Sequence, residues 1–191
     1  MKRCEAVSLA KEIAETLNFS ASMTKNVHGE KKPKFFDFLI FGSTTRKSDE
    51  ESVGDLDMIL FDNGQLSKDF MIDCQEPDWY SSLRGNLQCL LCDFANELYG
   101  ERPSSDFSYR KAADLLAKLQ GRNLKVDLHI LPVKFLQDRR FRGSVAKKHK
   151  DPIFFKNCFS QLLRLKNNAE FVPVKVQYFE KKYRCNLKDL K

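Results

Sequence analysis

Three aspartates are the residues of this sequence whose spacing could carry metal-dependent chemistry. Asp55 and Asp57 frame a single leucine, and Asp127 lies inside a later apolar segment. Alternate residues of a strand share one face, with Cα atoms about 6.5–7 Å apart. Two carboxylates at that spacing can converge on divalent cations, and a third on a neighbouring strand could complete a two-metal cluster.

Gly42 and Ser43 precede this pair in the chain and supply groups that suit a phosphate. Glycine allows the backbone to approach a ligand closely, and Ser43 adds a hydroxyl donor. If a helix begins at Thr44, its free N–H groups form an anion site. The sequence therefore contains a candidate phosphate-binding turn ahead of the candidate metal ligands.

An Asp-x-Asp pair alone is common, and it could be a solvent-facing pair at the edge of a strand. The neighbouring residues disfavour this interpretation, because Asp55 and Asp57 lead into the apolar run Met58–Phe61. Like charges at the rim of a core strand are costly without a cation. Asp127 also has apolar neighbours, although it could instead pair with a nearby cation such as Lys125.

Other sites that bind metals or phosphates do not fit. An EF-hand over residues 55–64 is excluded because apolar residues occupy its ligand positions. A Walker A loop and a GxGxxG motif are both absent from the sequence. His129 could share a face with Asp127, but a histidine packed in the core or at its rim is the favoured interpretation.

Hydrophobic periodicity predicts the elements that must hold these residues in place. Short apolar runs followed by turn residues predict buried strands at 35–41, 56–61 and 124–131. Helical spacing predicts helices at 4–18, 78–99, 108–120, 133–140 and 154–166, and Pro173 separates these from a final segment at 175–190. The order of elements is typical of an α/β (α+β) chain with a small mixed sheet and flanking helices.

Length and composition are those of a globular chain. With 191 residues, 42% of them hydrophobic, the chain can bury a core of its own. No window approaches about 20 continuous apolar residues, the length that a membrane span needs. The start lacks the apolar core of a signal peptide, so a cytoplasmic location without membrane association is expected. Cys89 and Cys92 form a CxxC, but no two further ligands at zinc spacing are evident nearby, and both thiols are expected to point into the core from one face of a helix. The six cysteines show no disulfide framework and are expected to be reduced.

The net charge of +7 is unevenly distributed. Residues 122–191 carry 18 Lys and Arg against 6 Asp and Glu, whereas residues 1–121 carry 15 against 20. A basic C-terminal third favours polyanionic partners such as nucleotide phosphates, RNA or DNA. The stretches Arg139–Gly143 and Lys147–Lys150 are candidates for RNA or DNA contact. A solvated lysine-rich surface would explain the same composition equally well.

Two segments of the chain, Phe38–Arg46 (FLIFGSTTR) and Gly54–Leu60 (GDLDMIL), together resemble the signature of the DNA polymerase beta-like nucleotidyltransferase superfamily. That signature is a hydrophobic strand, Gly-Ser, a short loop and Asp-x-Asp in the next strand. An arginine three residues after the serine is closest to the minimal nucleotidyltransferases, which commonly show Gly-Ser-x-x-Arg-Gly. Lys125–His129 (KVDLH) is similar to the strand that carries the third carboxylate of the family.

The resemblance implies a polymerase beta-like nucleotidyltransferase fold and a role for each matched residue. Asp55 and Asp57 are implied to bind Mg²⁺ or Mn²⁺, and Asp127 to be a third ligand or the base for an acceptor hydroxyl. All three are thereby catalytic candidates. The nucleotide-binding set implied by the resemblance is Gly42, Ser43 and Arg46.

The sequence departs from the family pattern in two ways. The glycine that usually follows the arginine is Lys47 here, and the next residues include three acids close to the expected phosphates, namely Asp49, Glu50 and Glu51. The segment between the second and third predicted strands is longer than in the smallest members, which implies an insertion at 65–120 with its helix pair. Neither departure removes a catalytic carboxylate.

We therefore expect a nucleotidyltransferase core at 1–135, including the 65–120 insertion, and a basic helical C-terminal extension at 136–191. The expected reaction moves a nucleoside monophosphate from an NTP, with ATP as the first candidate, to an acceptor hydroxyl and releases pyrophosphate. The acceptor could be a small molecule, a protein side chain or a nucleic acid 3′ end. Two alternatives stay open: a nucleotidyltransferase-type antitoxin or other partner-binding protein, and a non-catalytic nucleic-acid-binding protein on the same scaffold.

Overall fold

The computed structural model describes residues 1–23, 34–64, 126–148, 153–167 and 169–191. The first elements are α1 (Arg3–Met23), β1 (Phe35–Phe41), a 3₁₀ turn (Gly42–Thr45), β2 (Leu56–Asp62) and β3 (Val126–Pro132). The later elements are α2 (Lys134–Gln137), α3 (Arg139–Lys148), α4 (Phe154–Ser160), β4 (Leu162–Lys166), β5 (Glu170–Val174), α5 (Val176–Tyr183) and a second 3₁₀ turn (Lys188–Leu190). The predicted helices between residues 78 and 120, with Cys89 and Cys92, lie outside the described residues.

The described strands form one mixed sheet in the order β3-β2-β1-β4-β5. β2 and β3 are parallel, and every other neighbouring pair is antiparallel. The predicted class, a mixed sheet with flanking helices, is confirmed, and so are the three predicted strands to within two residues. No helix within the described residues is long and apolar enough to cross a membrane.

Helices cover both faces of the sheet, which explains why its central strands are almost wholly apolar. Alternate residues of a strand face opposite sides. One set, which includes Ile40 and Met58, packs against α1. The buried apolar residues of α1 whose burial the structure describes recur at helical spacing and are Ala6, Leu9, Ala10, Ile13, Ala14 and Leu17. The other set, which includes Leu39 and Ile59, packs against the C-terminal helices.

The C-terminal region is less helical than the sequence predicts. The helix predicted at 154–166 ends at Ser160, Gln161 has extended backbone, and Leu162–Lys166 forms β4. A short apolar run fits the helical and the strand period alike, and pairing with β1 and β5 decides for a strand. The expected helical extension is therefore wrong for Leu162–Lys166 and Glu170–Val174, which complete the sheet. The domain boundary after residue 135 stays a prediction.

A buried carboxylate in the middle of β1 fixes the position of α5. Asp37 accepts hydrogen bonds from Lys182 Nζ at 2.9 Å and from the Tyr183 hydroxyl. The guanidinium of Arg164 on β4 lies 3.5 Å from the same carboxylate. Because a lone buried charge is costly, this cluster of charged and polar groups holds α5 against β1 and β4. Burial, together with the hydrogen bond to Asp37, raises the pKa of Tyr183.

Arg142 of α3 connects the C-terminal helices, and it is the largest fully buried side chain of the described residues. Its guanidinium donates two hydrogen bonds to the Asp189 carboxylate, at 2.8 and 3.0 Å. It also donates to three backbone carbonyls at 2.8 to 3.1 Å, those of Phe135, Leu136 and Asn186. Arg142 belongs to the stretch predicted to contact nucleic acid, but it points inward, whereas Arg139 and Arg140 are exposed.

We expect Arg142→Met to lower the free energy of unfolding by about 3 kcal/mol, because the change removes the donor from a carboxylate and from buried carbonyls. Arg140→Met is the matched control on the exposed side of the same helix, and it should change the free energy by no more than about 0.5 kcal/mol. Urea denaturation followed by circular dichroism measures both. Equal losses in the two variants would contradict the structural role of Arg142.

Candidate metal centre

The three predicted carboxylates meet at one edge of the sheet. β1 ends at this edge and β2 and β3 begin there, because β1 is antiparallel to β2 and β2 is parallel to β3. The register places Phe41 opposite Asp57, and Asp57 beside Asp127. Asp57 and Asp127 share the face that the C-terminal helices cover, and Asp55 lies just before β2 begins.

The carboxylate oxygens of Asp55, Asp57 and Asp127 lie within 4.8 Å of one another, and all three residues are partly exposed. Carboxylate oxygens at this spacing are ligands that hard divalent cations prefer. The cluster, which we call the acidic triad, can therefore hold a metal ion. The structure thus brings together all three acids that the sequence singles out.

Burial and repulsion within the acidic triad raise the pKa of Asp57 to about 7. Burial is the largest cause, and the charges of Asp55 and Asp127 add to it. The nearby Arg46 acts in the opposite direction. A bound cation would favour the ionised carboxylate, so a proton and a metal ion compete for this site near neutral pH.

Gly42 joins β1 to the first 3₁₀ turn and lies directly against Asp57. Its φ of +73° falls in the left-handed region that glycine adopts most readily. A Cβ atom at this position would overlap with Oδ2 of Asp57. Both the backbone conformation and the close contact therefore require glycine at residue 42.

The turn beside the acidic triad holds two buried hydroxyls, those of Ser43 and Thr44. Neither has a hydrogen-bond partner among the described residues. Burying a hydroxyl without a partner costs free energy, so an oxygen-rich ligand at the turn would relieve that cost. The turn is a 3₁₀ helix over Gly42–Thr45, and the helix start considered at Thr44 is wrong. The phosphate contact expected of Ser43 stays a prediction.

Arg46 follows the turn and is exposed. Its guanidinium makes no hydrogen bond or ion pair within the described part of the chain, although its charge is close enough to lower the pKa of Asp57. Arginine binds phosphate oxygens with a planar fork of donors. The predicted nucleotide-binding residues Gly42, Ser43 and Arg46 therefore belong to the turn that adjoins Asp57 and to the residue after it.

The three acids that depart from the family pattern have partners away from the acidic triad. Each carboxylate is engaged separately, and the pairs are Asp49 with Arg3, Glu50 with Lys2 and Glu51 with Ser48. Two hydrogen bonds from Ser48, both at 2.7 Å, lower the pKa of Glu51. Two of the three negative charges of this loop are therefore paired with cations, and the third carboxylate is stabilised by hydrogen bonds.

Arg3, at the start of α1, is a residue that sequence reasoning missed. Besides pairing with Asp49, it donates a hydrogen bond from Nε to the Thr44 carbonyl at 2.8 Å. Its backbone N–H also reaches the Glu51 carbonyl at 2.9 Å. The start of α1 thus supports both the turn and the acidic loop, and no motif or spacing in the sequence signals these contacts.

A cleft of about 150 Å³ opens beside the turn. It is lined on one side by Phe41, Gly42, Thr45 and Arg46, and on the other by Phe154, Asn157, Cys158, Ser160 and Gln161 of α4 and the residue after it. The α4 side was not predicted, because these residues form no recognisable motif. His129 packs between the rings of Phe41 and Phe154, at centroid distances of 5.5 and 5.1 Å, and is a core histidine as favoured above.

We find no match to this chain among models of known protein families, among curated proteins or among solved structures. A functional proposal therefore depends on the geometry of the acidic triad, the turn and the cleft.

Gly42→Ala is expected to weaken Mn²⁺ binding by about tenfold or more, because the new methyl group displaces the Asp57 carboxylate. The left-handed backbone should also cost about 1–2 kcal/mol of stability. Gly143→Ala is the control, since nothing lies near its Cβ position on α3. Electron paramagnetic resonance titration with Mn²⁺ measures the affinity, and unchanged binding by Gly42→Ala would contradict the geometry of the site.

The raised pKa of Asp57 predicts that the stability of the metal-free protein depends on pH. The pKa in the folded state, about 7, exceeds the ordinary value of 3.8, so the folded protein binds a proton that the unfolded chain releases. The resulting stabilisation is complete below the ordinary pKa and is lost as the pH rises through the folded value. Ionised Asp57 therefore destabilises the metal-free fold at alkaline pH.

We accordingly expect Asp57→Asn to melt at a higher temperature than the parent at pH 8 in EDTA, with the difference vanishing towards pH 4. Added Mg²⁺ or Mn²⁺ should raise the melting temperature of the parent and not that of the variant. Asp138→Asn is a control expected to gain no stability at pH 8, because hydrogen bonds from the backbone at Phe141 and Arg140 lower the pKa of Asp138. A parent that melts above Asp57→Asn at pH 8 without metal would contradict the prediction.

Proposed function

We propose that this chain is a metal-dependent nucleotidyltransferase, which moves a nucleoside monophosphate from an NTP, with ATP as the first candidate, to an acceptor hydroxyl. The supporting observation is a cluster of three carboxylates, within 4.8 Å of one another, beside a glycine turn with a buried hydroxyl that lacks a partner among the described residues. A cation site next to an anion-binding turn suits a metal-bound polyphosphate.

The proposal includes a polymerase beta-like nucleotidyltransferase fold. Its support is the agreement between the sequence resemblance and the order of three strands. The antiparallel pair β1–β2 carries Gly42-Ser43 and the Asp-x-Asp pair, and the parallel strand β3 carries the third carboxylate. β4 and β5 extend the sheet on the side away from the acidic triad.

Asp55 and Asp57 bind Mg²⁺ or Mn²⁺ in this proposal, and Asp127 completes the ligand set. The donor set fits such ions, because three carboxylates leave coordination positions for water and phosphate oxygens. Bound divalent cations supply two effects: they lower the pKa of an attacking hydroxyl and neutralise the leaving phosphate.

The remaining residues bind and orient the nucleotide. Ser43 donates its hydroxyl to a phosphate oxygen, Gly42 lets the backbone approach the triphosphate, and Arg46 contributes positive charge. The acceptor oxygen forms a bond to the α-phosphorus while the bond between the α-phosphorus and the bridging oxygen breaks. Pyrophosphate leaves, and the proton of the acceptor hydroxyl passes to the Asp127 carboxylate. The cations that remain exposed on α3, including Arg139 and Arg140, are candidates for contact with an RNA or DNA acceptor.

Incorporation of labelled NTPs into cell extract tests the proposal. With Mg²⁺, the purified parent should incorporate label from the α-phosphate and none from the γ-phosphate, which separates nucleotidyl transfer from phosphoryl transfer. Asp57→Asn should incorporate at least about 100-fold less, because it removes a metal ligand. Glu50→Gln makes the same change from carboxylate to amide in the exposed loop and should retain the parent rate.

Treatment of the labelled product with ribonuclease, nuclease or protease identifies the class of acceptor. Absent labelling by the parent, or equal labelling by the parent and Asp57→Asn, would refute catalysis. The non-catalytic nucleic-acid-binding alternative is correct if the parent shows no turnover and if an Asp55→Asn/Asp57→Asn variant binds RNA with the same affinity as the parent. Labelling confined to one co-purifying protein would instead support the partner-binding alternative.

A further inference from the structure

The cleft beside the turn has features that the phosphate and metal chemistry does not use. Its volume of about 150 Å³ is close to that of a protein cavity able to hold one benzene molecule. It is partly open to solvent and bounded by the turn and by α4. The cleft can therefore take a single ring, or part of a larger flat group.

The cleft adjoins the acidic triad at Gly42. This residue lines the cleft and also lies against Asp57, and Arg46 lines the cleft while its charge acts on the same carboxylate. A group bonded to a phosphate held at the turn would therefore lie next to the cleft. The nucleoside is the part of an NTP that is attached to the α-phosphate.

The walls of the cleft combine aromatic carbon with neutral amides. Phe41 and Phe154 present rings that pack edge to face, with centroids 5.9 Å apart. Asn157 and Gln161 are exposed, and their side-chain amides have no hydrogen-bond partner within the described residues. Among the described residues that line the cleft there is no carboxylate, and Arg46 is the one ionised group. This chemistry disfavours a cationic ligand and suits a flat, neutral, polar ring.

Amide side chains offer a donor and an acceptor together, which matches the edge of a nucleobase. Aromatic side chains supply stacking, which every base can use. We propose that the cleft binds the nucleoside of the NTP, with the base against Phe154 and with Asn157 and Gln161 as the residues that determine base preference. This inference rests on the proposed function, because the phosphates must lie at the turn for the nucleoside to reach the cleft.

Comparing NTPs with inorganic tripolyphosphate tests the cleft separately from the phosphate site. Isothermal titration calorimetry with Mg²⁺, and without an acceptor, gives the affinity of the parent for ATP, GTP, CTP, UTP and tripolyphosphate. We expect the preferred NTP to bind about tenfold or more tightly than tripolyphosphate, since stacking of one base on an aromatic side chain contributes about that factor.

Asn157→Ala and Gln161→Ala should each reduce that advantage, and the double variant should bind all four NTPs with similar affinity. Tripolyphosphate should bind all three variants as it binds the parent. Gln177→Ala removes an exposed amide on α5 and is the matched control with parent behaviour. Equal melting temperatures of the parent and all variants establish that folding is unaffected, as the exposure of the three positions predicts.

The titrations distinguish a failure of this inference from a failure of the proposed function. If the parent binds tripolyphosphate and NTPs, and the cleft variants keep its ranking of the four NTPs, the nucleoside lies elsewhere and the inference is wrong while the proposed function stands. If neither tripolyphosphate nor any NTP binds the parent with Mg²⁺, the proposed function is wrong, and this inference falls with it.

Discussion

The three carboxylates of the acidic triad lie within 4.8 Å of one another and repel. The described structure holds them together against this repulsion. Hydrogen bonds between β2 and β3 hold Asp57 beside Asp127, so the two acids cannot separate without breaking the ladder. Apolar layers on both faces hold the strands in turn. The packing energy of the sheet therefore maintains an arrangement that is unfavourable without a cation, and the raised pKa of Asp57 reflects this cost.

Other local costs occur at the same edge of the sheet. Gly42 has a positive φ and no room for a side chain, and the Ser43 hydroxyl is buried without a partner among the described residues. Elsewhere in the described sheet the apolar pattern and the charge pairs agree with the fold more closely. Buried Asp37 has a lysine and a tyrosine as hydrogen-bond partners of Oδ2, and its Oδ1, which accepts no hydrogen bond among the described residues, lies 3.5 Å from the Arg164 guanidinium. Several local costs that occur together at one edge of a sheet are typical of a functional site.

The parts of this arrangement that could be predicted are those with a local signal. β1 is an apolar run ended by glycine, and Asp55 and Asp57 have strand spacing within a few residues of it. β4 could not be separated from a helix, because its leucines fit both periods and only the pairing with β1 decides between them. The contact of Arg3 with the Thr44 carbonyl joins residues far apart in the chain, and no periodic pattern records such a contact.

In the C-terminal third of the chain, composition alone could not predict which cations are available to a partner. Its positive charge favours a polyanion, yet Arg142 and Lys182 pair with carboxylates of the fold itself. Only the cations that face solvent contribute to the long-range field. What this third adds beside the turn is mainly neutral, namely Phe154 and two amide side chains. In the proposed complex, the charged groups bind every triphosphate in the same way, whereas the neutral groups distinguish one base from another. Phosphate and base contacts have the same division of roles in nucleic-acid recognition. Affinity and selectivity would then arise from separate parts of the chain, which meet only because β4 pairs with β1 and brings α4 against the turn.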